Sequence, residues 1–208
     1  MRPIKGLYAV TPDLADTAAL VAKVDAVLGA GVRLLQYRNK TADGATRRAQ
    51  AQALCELCRH HAATLIVNDD VALAAAIDAD GVHVGDDDAQ VATARAQLGG
   101  DKIIGVSCYA SLERAHAAAA QGADYIAFGS FFVSSVKPGA VRAPLSLLPA
   151  ARAFKLPVVA IGGITLDNAR VLIEAGADAI AVISALFTVR DPAFAARQFR
   201  QLFAAQTA

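Results

Sequence analysis

Short apolar runs alternate with longer stretches rich in Ala, Leu, Arg and Glu along most of the chain. The apolar runs predict strands and the stretches between them predict helices, because each has the length and composition typical of that element. Eight apolar runs follow one another in the order GLYAVTP, VRLLQYRNK, TLIVND, GVHVGD, KIIGVSC, YIAFGSFF, PVVAIGG and AIAVISAL. The chain is therefore predicted to contain eight strand-then-helix units.

These units favour a closed (β/α)8 barrel, the TIM barrel, in the α/β class. Continuous apolar runs are typical of parallel strands that are buried on both faces. Similar turns, AGVRLL, DADGVHV, QGADYIAF and EAGADAIAV, precede several strands, and their glycines can end the helix before them. The alternative is an open doubly wound sheet, but YAVTPDLAD lacks the glycine-rich fingerprint expected after its first strand. We predict one compact barrel domain spanning residues 1–208.

Composition narrows the range of partners. Lys and Arg number 20 against 19 Asp and Glu, and a net charge of +1 gives no indication of binding to nucleic acid or an anionic membrane. The N-terminal MRPIKGLYAVTPD is interrupted too early to hold a signal-peptide core, and no run of about 18 apolar residues occurs. We therefore expect a cytoplasmic protein that acts on small molecules. The sequence leaves open whether it forms a homodimer.

The three cysteines, Cys55, Cys58 and Cys108, raise the question of a metal or redox site. Cys55 and Cys58 form CELC inside the helical pattern RRAQAQALCELCRHH, without a second ligand pair at zinc-like spacing. Buried helical thiols are the favoured interpretation.

Polar residues follow almost every predicted strand. In a (β/α)8 barrel the active site forms at the carboxyl ends of the strands, so these residues are candidates. In chain order they are Gln36, Arg38, Lys40, Asn68, Asp69, Asp86, Asp87, Asp88, Ser107, Ser134, Ser135, Lys137, Gly162, Gly163 and Ser184. Because Gln36, Arg38 and Lys40 alternate, they can share one face of the rim.

Each candidate also has a simpler structural explanation. Asn68 or Asp69 can cap the following helix, and Arg38 and Lys40 can form an ordinary solvated edge. The glycines can serve a tight turn, and His83 within GVHV is favoured as a hydrogen-bonded core residue. The convergence of all these positions on one rim favours a common site.

The residue types at this rim indicate anionic substrates. Aspartates after neighbouring strands are suitable ligands for Mg²⁺, which usually takes one or two carboxylates together with water and substrate phosphates. The cations Arg38, Lys40 and Lys137 can neutralise phosphate, and backbone N–H groups near Gly163 and Ser184 can hold a second phosphate. The sequence contains no HExxH or Walker motif, and charge stabilisation is favoured over covalent catalysis.

The motifs together resemble those of the thiamine-phosphate synthase family from residue 6 to about residue 187. The resemblance is carried, in order, by YAVTP, QYRNK, IVNDDVALA, ADGVHVGDDD, IIGVSC, GADYIAFGSFF, SSVK, VVAIGGI and GADAIAVISAL. It implies a transferase of thiamine biosynthesis. Such an enzyme joins 4-amino-5-hydroxymethyl-2-methylpyrimidine diphosphate to a thiazole phosphate, with or without a carboxylate, and releases diphosphate.

The resemblance also implies a role for each matching position. The pyrimidine diphosphate would be held by Gln36, Tyr37, Arg38, Asn39, Lys40 and Asn68. Asp69 and Asp88 would bind Mg²⁺, whereas Asp86 and Asp87 would face solvent or cap the next helix. Arg38, Lys40, Ser107 and Lys137 would assist departure of the diphosphate. The thiazole phosphate would meet Ser134, Ser135, Val136, Gly163, Ile183 and Ser184.

The sequence departs from the family at the predicted thiazole side. The usual proline-threonine-x-threonine-lysine pattern reads Val133, Ser134, Ser135, Val136 and Lys137, so Val136 replaces one hydroxyl residue. Two alternatives are a thiazole tautomerase of the same fold and a non-catalytic thiamine-phosphate sensor. The retained cations and aspartates favour the synthase, because a tautomerase needs no apparatus for diphosphate and Mg²⁺.

Overall fold

A computed structural model of the chain contains a closed barrel of eight parallel strands in the order β1 to β8. It describes residues 3–85, 89–133 and 141–204. The strands are β1 Gly6–Val10, β2 Leu34–Tyr37, β3 Thr64–Asn68, β4 Gly81–Val84, β5 Ile103–Tyr109, β6 Tyr125–Phe128, β7 Val158–Ile161 and β8 Ala179–Val182. Each begins in one of the eight apolar runs, and β5 alone continues one residue past its run, so the predicted (β/α)8 barrel is confirmed.

Helices connect the strands and cover the outside of the barrel. They are α1 Thr17–Gly29, α2 Gly44–His60, α3 Val71–Ala76, α4 Ala89–Leu98, α5 Leu112–Ala120, α6 Leu147–Ala151, α7 Leu166–Glu174, α8 Ser184–Phe187 and α9 Pro192–Ala204. A short 3-10 helix, Arg152–Phe154, follows α6. Three of the predicted turn glycines, Gly31, Gly122 and Gly176, have positive φ angles and follow a helix, which is the conformation that glycine favours.

Two apolar cores follow from the alternation of side chains along each strand. The inner core fills the barrel and includes Tyr8, Leu34, Ile66 and Tyr125. The neighbouring positions, such as Leu35, point outward and pack against the helices in a larger outer core. The barrel is therefore filled by side chains.

An acidic residue secures the start of three strands at the amino-terminal end of the barrel. The side chains of Asp80, Asp124 and Asp178 accept backbone N–H hydrogens from Leu65, Ile104 and Val158 at 2.7 to 2.8 Å. Each aspartate is the residue immediately before a strand: Asp80 before β4, Asp124 before β6 and Asp178 before β8. This repeated contact lies at the amino-terminal end of the barrel, which contributes to stability and is opposite the expected active site.

Cys55 and Cys58 of CELC occupy the buried helical positions favoured by the sequence, and Cys108 lies on β5. Cys55, Cys58 and Cys108 are all buried, and none of them forms a disulfide. Burial raises the pKa of the Cys108 thiol to about 12 and also raises that of Cys55, so neither is activated as a thiolate nucleophile. None of the helices within the described ranges has the length and apolar character needed to cross a membrane.

Candidate active site

A cavity of about 350 Å³ opens at the carboxyl ends of the strands. This volume is within the range of small-molecule sites. Ten residues predicted from the sequence line it: Gln36, Arg38, Lys40, Asn68, Asp69, Ser107, Gly162, Gly163, Ile183 and Ser184. The fold thus brings residues from across the sequence to one rim, as predicted from their positions after the strands.

One side of the rim carries the charged groups, and we call Gln36, Arg38, Lys40, Asn68 and Asp69 the charged arc. Arg38 is largely buried, and its Nη1 donates to both carboxylate oxygens of Asp13, at 3.0 and 2.9 Å. The same carboxylate accepts the backbone N–H of Lys40 at 2.7 Å. Thr11 is fully buried and exchanges two hydrogen bonds of 2.8 Å with the Arg38 backbone. The loop after β1 therefore fixes the loop that carries both cations.

Asp69 is presented to the cavity by an unusual local backbone. Its φ of +61° is a left-handed conformation that aspartate tolerates better than most residues. The next residue, Asp70, caps α3 by accepting the Leu73 N–H at 2.8 Å. Asp69 is consequently not needed as the cap, and its carboxylate accepts from Asn68 Nδ2 at 2.7 Å and lies 3.5 Å from Lys40 Nζ.

The side chains of Tyr37 and Asn39 point away from the cavity. The family resemblance implied that both residues bind the substrate. Alternation along β2 directs Tyr37 into the outer core, where its hydroxyl donates to Gln50 Oε1 at 2.9 Å. Asn39 donates to the same Gln50 oxygen at 3.0 Å and accepts the backbone N–H groups of Thr41 and Ala42. Their side chains therefore support the loop from behind.

The opposite side of the rim has no charged side chain among the described residues that line it. We call Gly162, Gly163, Ile183 and Ser184 the backbone arc. Gly162 and Gly163 have φ angles of +105° and +63°, and a β-carbon on Gly163 would collide with the backbone carbonyl of Val133. The glycines thus serve both the tight turn and the close approach of backbone to the cavity. Ser184 begins α8 directly after Ile183.

The floor of the cavity contains a buried polar chain. Gln36 Nε2 donates to Tyr8 Oη at 3.0 Å, and Tyr8 Oη lies 2.9 Å from Tyr125 Oη. His83 Nδ1 is 2.9 Å from Tyr125 Oη, and His83 Nε2 is 2.8 Å from Ser107 Oγ. Burial lowers the pKa of His83 to about 4, opposed by the charge of Asp69, so the imidazole is neutral near pH 7. His83 is the hydrogen-bonded core residue that the sequence favoured.

Burial also determines the protonation of the two tyrosines. It raises the pKa of both Tyr8 and Tyr125 above the ordinary phenol range. Each hydroxyl therefore keeps its proton and can donate one hydrogen bond while accepting another.

Sequence reasoning missed several residues of this site. Thr11 and Asp13 directly follow β1, and a position after a strand was the criterion used for the other candidates. The same criterion would have identified both residues from the sequence. Tyr8 and Tyr125 lie 117 positions apart inside apolar runs, and no local pattern indicates that their hydroxyls meet.

Five predicted site residues lie outside the described residues: Asp88, Ser134, Ser135, Val136 and Lys137. Their assignments stay predictions. The acidic neighbours Asp86 and Asp87 are outside as well.

The described part of the rim is compatible with a Mg²⁺ ligand at Asp69. No group of three or more His, Cys, Asp or Glu side chains suited to a metal is present within residues 3–85, 89–133 and 141–204. Mg²⁺ does not need such a group, because one or two carboxylates with water and phosphate oxygens complete its shell. The half-exposed Asp69 carboxylate at the cavity provides a ligand of this type.

Comparison with known proteins connects this geometry to a family. Residues 7–186 match the family model described as thiamine monophosphate synthase. A thiamine-phosphate synthase of Methylobacillus flagellatus is 59% identical over 201 residues, covering 97% of this chain and 96% of the relative. One of Azoarcus sp. is 59% identical over 202 residues, covering 97% and 98%.

A solved structure gives the same result. The thiamine phosphate pyrophosphorylase of Pyrococcus furiosus superposes with a TM-score of 0.85 at 35% identity, covering 98% of this chain and 97% of that one. The family match extends from the second residue of β1 into α8 and includes both arcs of the cavity. The chain belongs to the thiamine monophosphate synthase family.

Proposed function

We propose that this chain is a transferase that joins 4-amino-5-hydroxymethyl-2-methylpyrimidine diphosphate to a thiazole phosphate, forming thiamine phosphate and diphosphate. The observation that carries the proposal is the division of one cavity into a charged arc and a backbone arc. Two anionic groups of different charge can occupy such a cavity together, each beside the chemistry that suits it.

The charged arc suits the diphosphate. Arg38 is pre-oriented by Asp13 and Lys40 is about half exposed, so both cations can reach phosphate oxygens at the cavity. Asp69, together with Asp88 outside the described residues, would hold Mg²⁺. When bound there, the metal supplies Lewis-acid stabilisation of the diphosphate charge.

The backbone arc suits the thiazole phosphate. A terminal phosphate is smaller than a diphosphate and can be held by N–H groups at a turn without a facing cation. Gly163, Ile183 and Ser184 would provide these donors. Ser134, Ser135 and Val136, which lie outside the described residues, would complete the thiazole side.

The reaction that fits these groups is a dissociative substitution. The carbon–oxygen bond to the diphosphate breaks first, and the aminopyrimidine ring stabilises the resulting methylene cation. The thiazole nitrogen then donates its electron pair to that carbon. Arg38, Lys40, Ser107 and Lys137 would stabilise the negative charge that grows on the departing diphosphate, an effect worth about 3 kcal/mol for a single well-placed donor.

A decisive experiment supplies the purified protein with the pyrimidine diphosphate, the thiazole phosphate and Mg²⁺. We expect thiamine phosphate and diphosphate in equal amounts. Failure to form product at saturating Mg²⁺ would exclude the synthase. Isomerisation of the thiazole without coupling would identify a tautomerase, and tight binding of thiamine phosphate with neither reaction would identify a sensor.

The metal assignment has its own test within the acidic cluster. We expect Asp88→Asn to raise the Mg²⁺ concentration needed for half-maximal activity by about tenfold or more, because a carboxylate ligand is lost. Asp87→Asn is the matched control and should change this concentration little. Equal effects of the two substitutions would contradict the assignment of Asp88.

We further propose that the protein acts in the cytoplasm. The three buried cysteines form no disulfide, which is compatible with a reducing compartment.

A further inference from the structure

We infer that the buried side chains of Tyr8, Tyr125 and His83 are positioning residues that turn the Ser107 hydroxyl hydrogen into the cavity, where it donates to the substrate diphosphate. The inference rests on the proposed function, because it takes diphosphate as the group beside Ser107. It adds a role for three inward side chains that none of the site assignments above includes.

The relay consists of consecutive hydrogen bonds across five strands. It runs from Gln36 on β2 through Tyr8 on β1, Tyr125 on β6 and His83 on β4 to Ser107 on β5. Tyr8 and Tyr125 are 1% and 0% exposed, and His83 is 7% exposed. Water is therefore a poor competitor for these hydrogen bonds, and each group depends on its neighbours in the relay.

The number of hydrogens gives the relay a direction. Gln36 donates through Nε2, so Tyr8 Oη accepts at that end and gives its own hydrogen to Tyr125. Tyr125 then donates to His83 Nδ1. Because Nδ1 accepts this hydrogen bond, the imidazole hydrogen lies on Nε2 and is donated to Ser107 Oγ.

Ser107 is thereby left with its own hydroxyl hydrogen for another acceptor. Because Ser107 lines the cavity, that acceptor can be a substrate oxygen. A donor that is oriented before the substrate arrives needs no rearrangement when charge develops on the leaving group.

The opposite direction leaves a buried mismatch. If Ser107 donated to His83, each following hydrogen would reverse and Tyr125 would donate to Tyr8. Tyr8 Oη would then accept from both Gln36 Nε2 and Tyr125 Oη, and the Tyr8 hydroxyl hydrogen would have no acceptor among these groups. Burying an unsatisfied donor is unfavourable, so the direction in which each group donates to the next, from Gln36 towards Ser107, is preferred.

Packing holds the members of the relay in place. The rings of His83 and Tyr125 are stacked, with centroids 5.5 Å apart and an interplanar angle of 24°. Tyr8 meets Tyr125 edge to face at 6.1 Å. A β-carbon on Gly105 would overlap the Tyr125 ring, so the glycine leaves the space that the ring occupies. The hydrogen-bond direction is thus built into a rigid inner core.

The test uses inorganic diphosphate with Mg²⁺ as the probe and calorimetry on the full chain as the measurement. We expect Ser107→Ala to weaken binding about tenfold or more, because a hydrogen bond to a charged group is lost. Tyr125→Phe removes the donor to His83 and lets Ser107 turn inward, so we expect a loss of about fivefold. In the Ser107→Ala background, Tyr125→Phe should change the affinity by less than about twofold, because the donor on which it acts is gone.

Tyr37→Phe is the matched control. It also removes one buried tyrosine hydroxyl that makes a 2.9 Å hydrogen bond, but this hydroxyl lies in the outer core and outside the relay. The effects of Tyr37→Phe and Ser107→Ala on diphosphate affinity should therefore multiply. A purely structural role of Tyr125 would give the same multiplication.

The outcomes separate this inference from the proposed function. Non-multiplicative effects of Tyr125→Phe and Ser107→Ala support the relay, even if the coupling assay gives no thiamine phosphate. Multiplicative effects overturn the relay, even if thiamine phosphate is formed. Wild-type affinity in Ser107→Ala would also overturn it, because Ser107 would then not be a donor to diphosphate.

Discussion

The two arcs of the cavity hold anionic groups by different means. The charged arc places Lys40 beside Asp69 and Arg38 beside Asp13, and the loop after β1 holds the positions of both cations. The backbone arc has two glycines with positive φ angles and the start of α8. Side-chain charge is concentrated where the bond is proposed to break, and backbone geometry is used where a phosphate is only held.

Under the proposed function, this difference would let one site distinguish two phosphorylated substrates. A diphosphate that leaves gains negative charge, so it benefits from cations and a metal. A phosphate that remains attached to the thiazole gains none, and fixed N–H donors suffice. Variants on the two arcs should therefore affect different kinetic constants.

The largest effect is expected from Arg38→Gln on the charged arc. We expect kcat/KM for the pyrimidine diphosphate to fall by roughly 100-fold to 1,000-fold, because a charged donor to the leaving group is lost. Steady-state kinetics at saturating thiazole phosphate measure this. Arg59→Gln, on an exposed ion pair with Asp78, is the control and should leave the constant unchanged. A fall of less than about threefold in Arg38→Gln would contradict the role of the charged arc.

A smaller and different effect is expected from Gly163→Ala on the backbone arc. The new β-carbon would press on the Val133 carbonyl and displace the turn, so KM for the thiazole phosphate should rise by about tenfold. KM for the pyrimidine diphosphate should stay within about twofold.

Gly99→Ala is the matched control for this substitution. Gly99 also has a positive φ, +86°, but no atom lies within 4 Å of an added β-carbon. It should lower stability by about 1 kcal/mol through backbone strain and leave both KM values unchanged. An equal rise of both KM values in Gly163→Ala would show that the arcs are not separate.

Asp13→Asn is expected to have a moderate effect on the charged arc alone. The substitution keeps an oxygen for the Lys40 N–H but removes the charge that orients Arg38, so kcat/KM for the pyrimidine diphosphate should fall about fivefold. Asp25→Asn, beside His61 on the surface, controls for loss of an exposed carboxylate. If Asp13→Asn raised kcat/KM instead, Asp13 would be a competitor for Arg38 and not its support.

Ionic strength should give the smallest difference between the arcs. Raising the ionic strength from about 50 to 500 mM shortens the Debye length. This weakens the attraction between the half-exposed Lys40 ammonium and phosphate more than it weakens short backbone hydrogen bonds. We expect KM for the pyrimidine diphosphate to rise about threefold, and KM for the thiazole phosphate to rise less. Parallel titrations of both substrates at fixed Mg²⁺ measure the two responses. The reverse order would contradict the assignment of charge to the diphosphate side.

The barrel and most of the described rim could be predicted because their signals are local. Each apolar run is followed directly by its rim residue, and alternation along β2 groups Gln36 with Arg38 and Lys40. The same alternation directs Tyr37 outward, although the family motif groups it with its neighbours.

Other features depend on contacts that the sequence does not display. Asn68 or Asp69 was the expected alternative cap of the helix after β3, whereas the backbone geometry assigns this role to Asp70. Asp13 contacts Arg38 across 25 positions, and Tyr8 contacts Tyr125 across 117. Such pairs follow from barrel closure and register, which periodicity cannot specify for individual side chains.

The central claim is that the charged arc, and not the backbone arc, holds the diphosphate. Calorimetric titration of inorganic diphosphate with Mg²⁺ into Arg38→Gln and Gly163→Ala tests it most directly. We expect binding to be weakened about 100-fold in Arg38→Gln and to stay within about twofold of wild type in Gly163→Ala. Unchanged binding in Arg38→Gln together with lost binding in Gly163→Ala would contradict the claim.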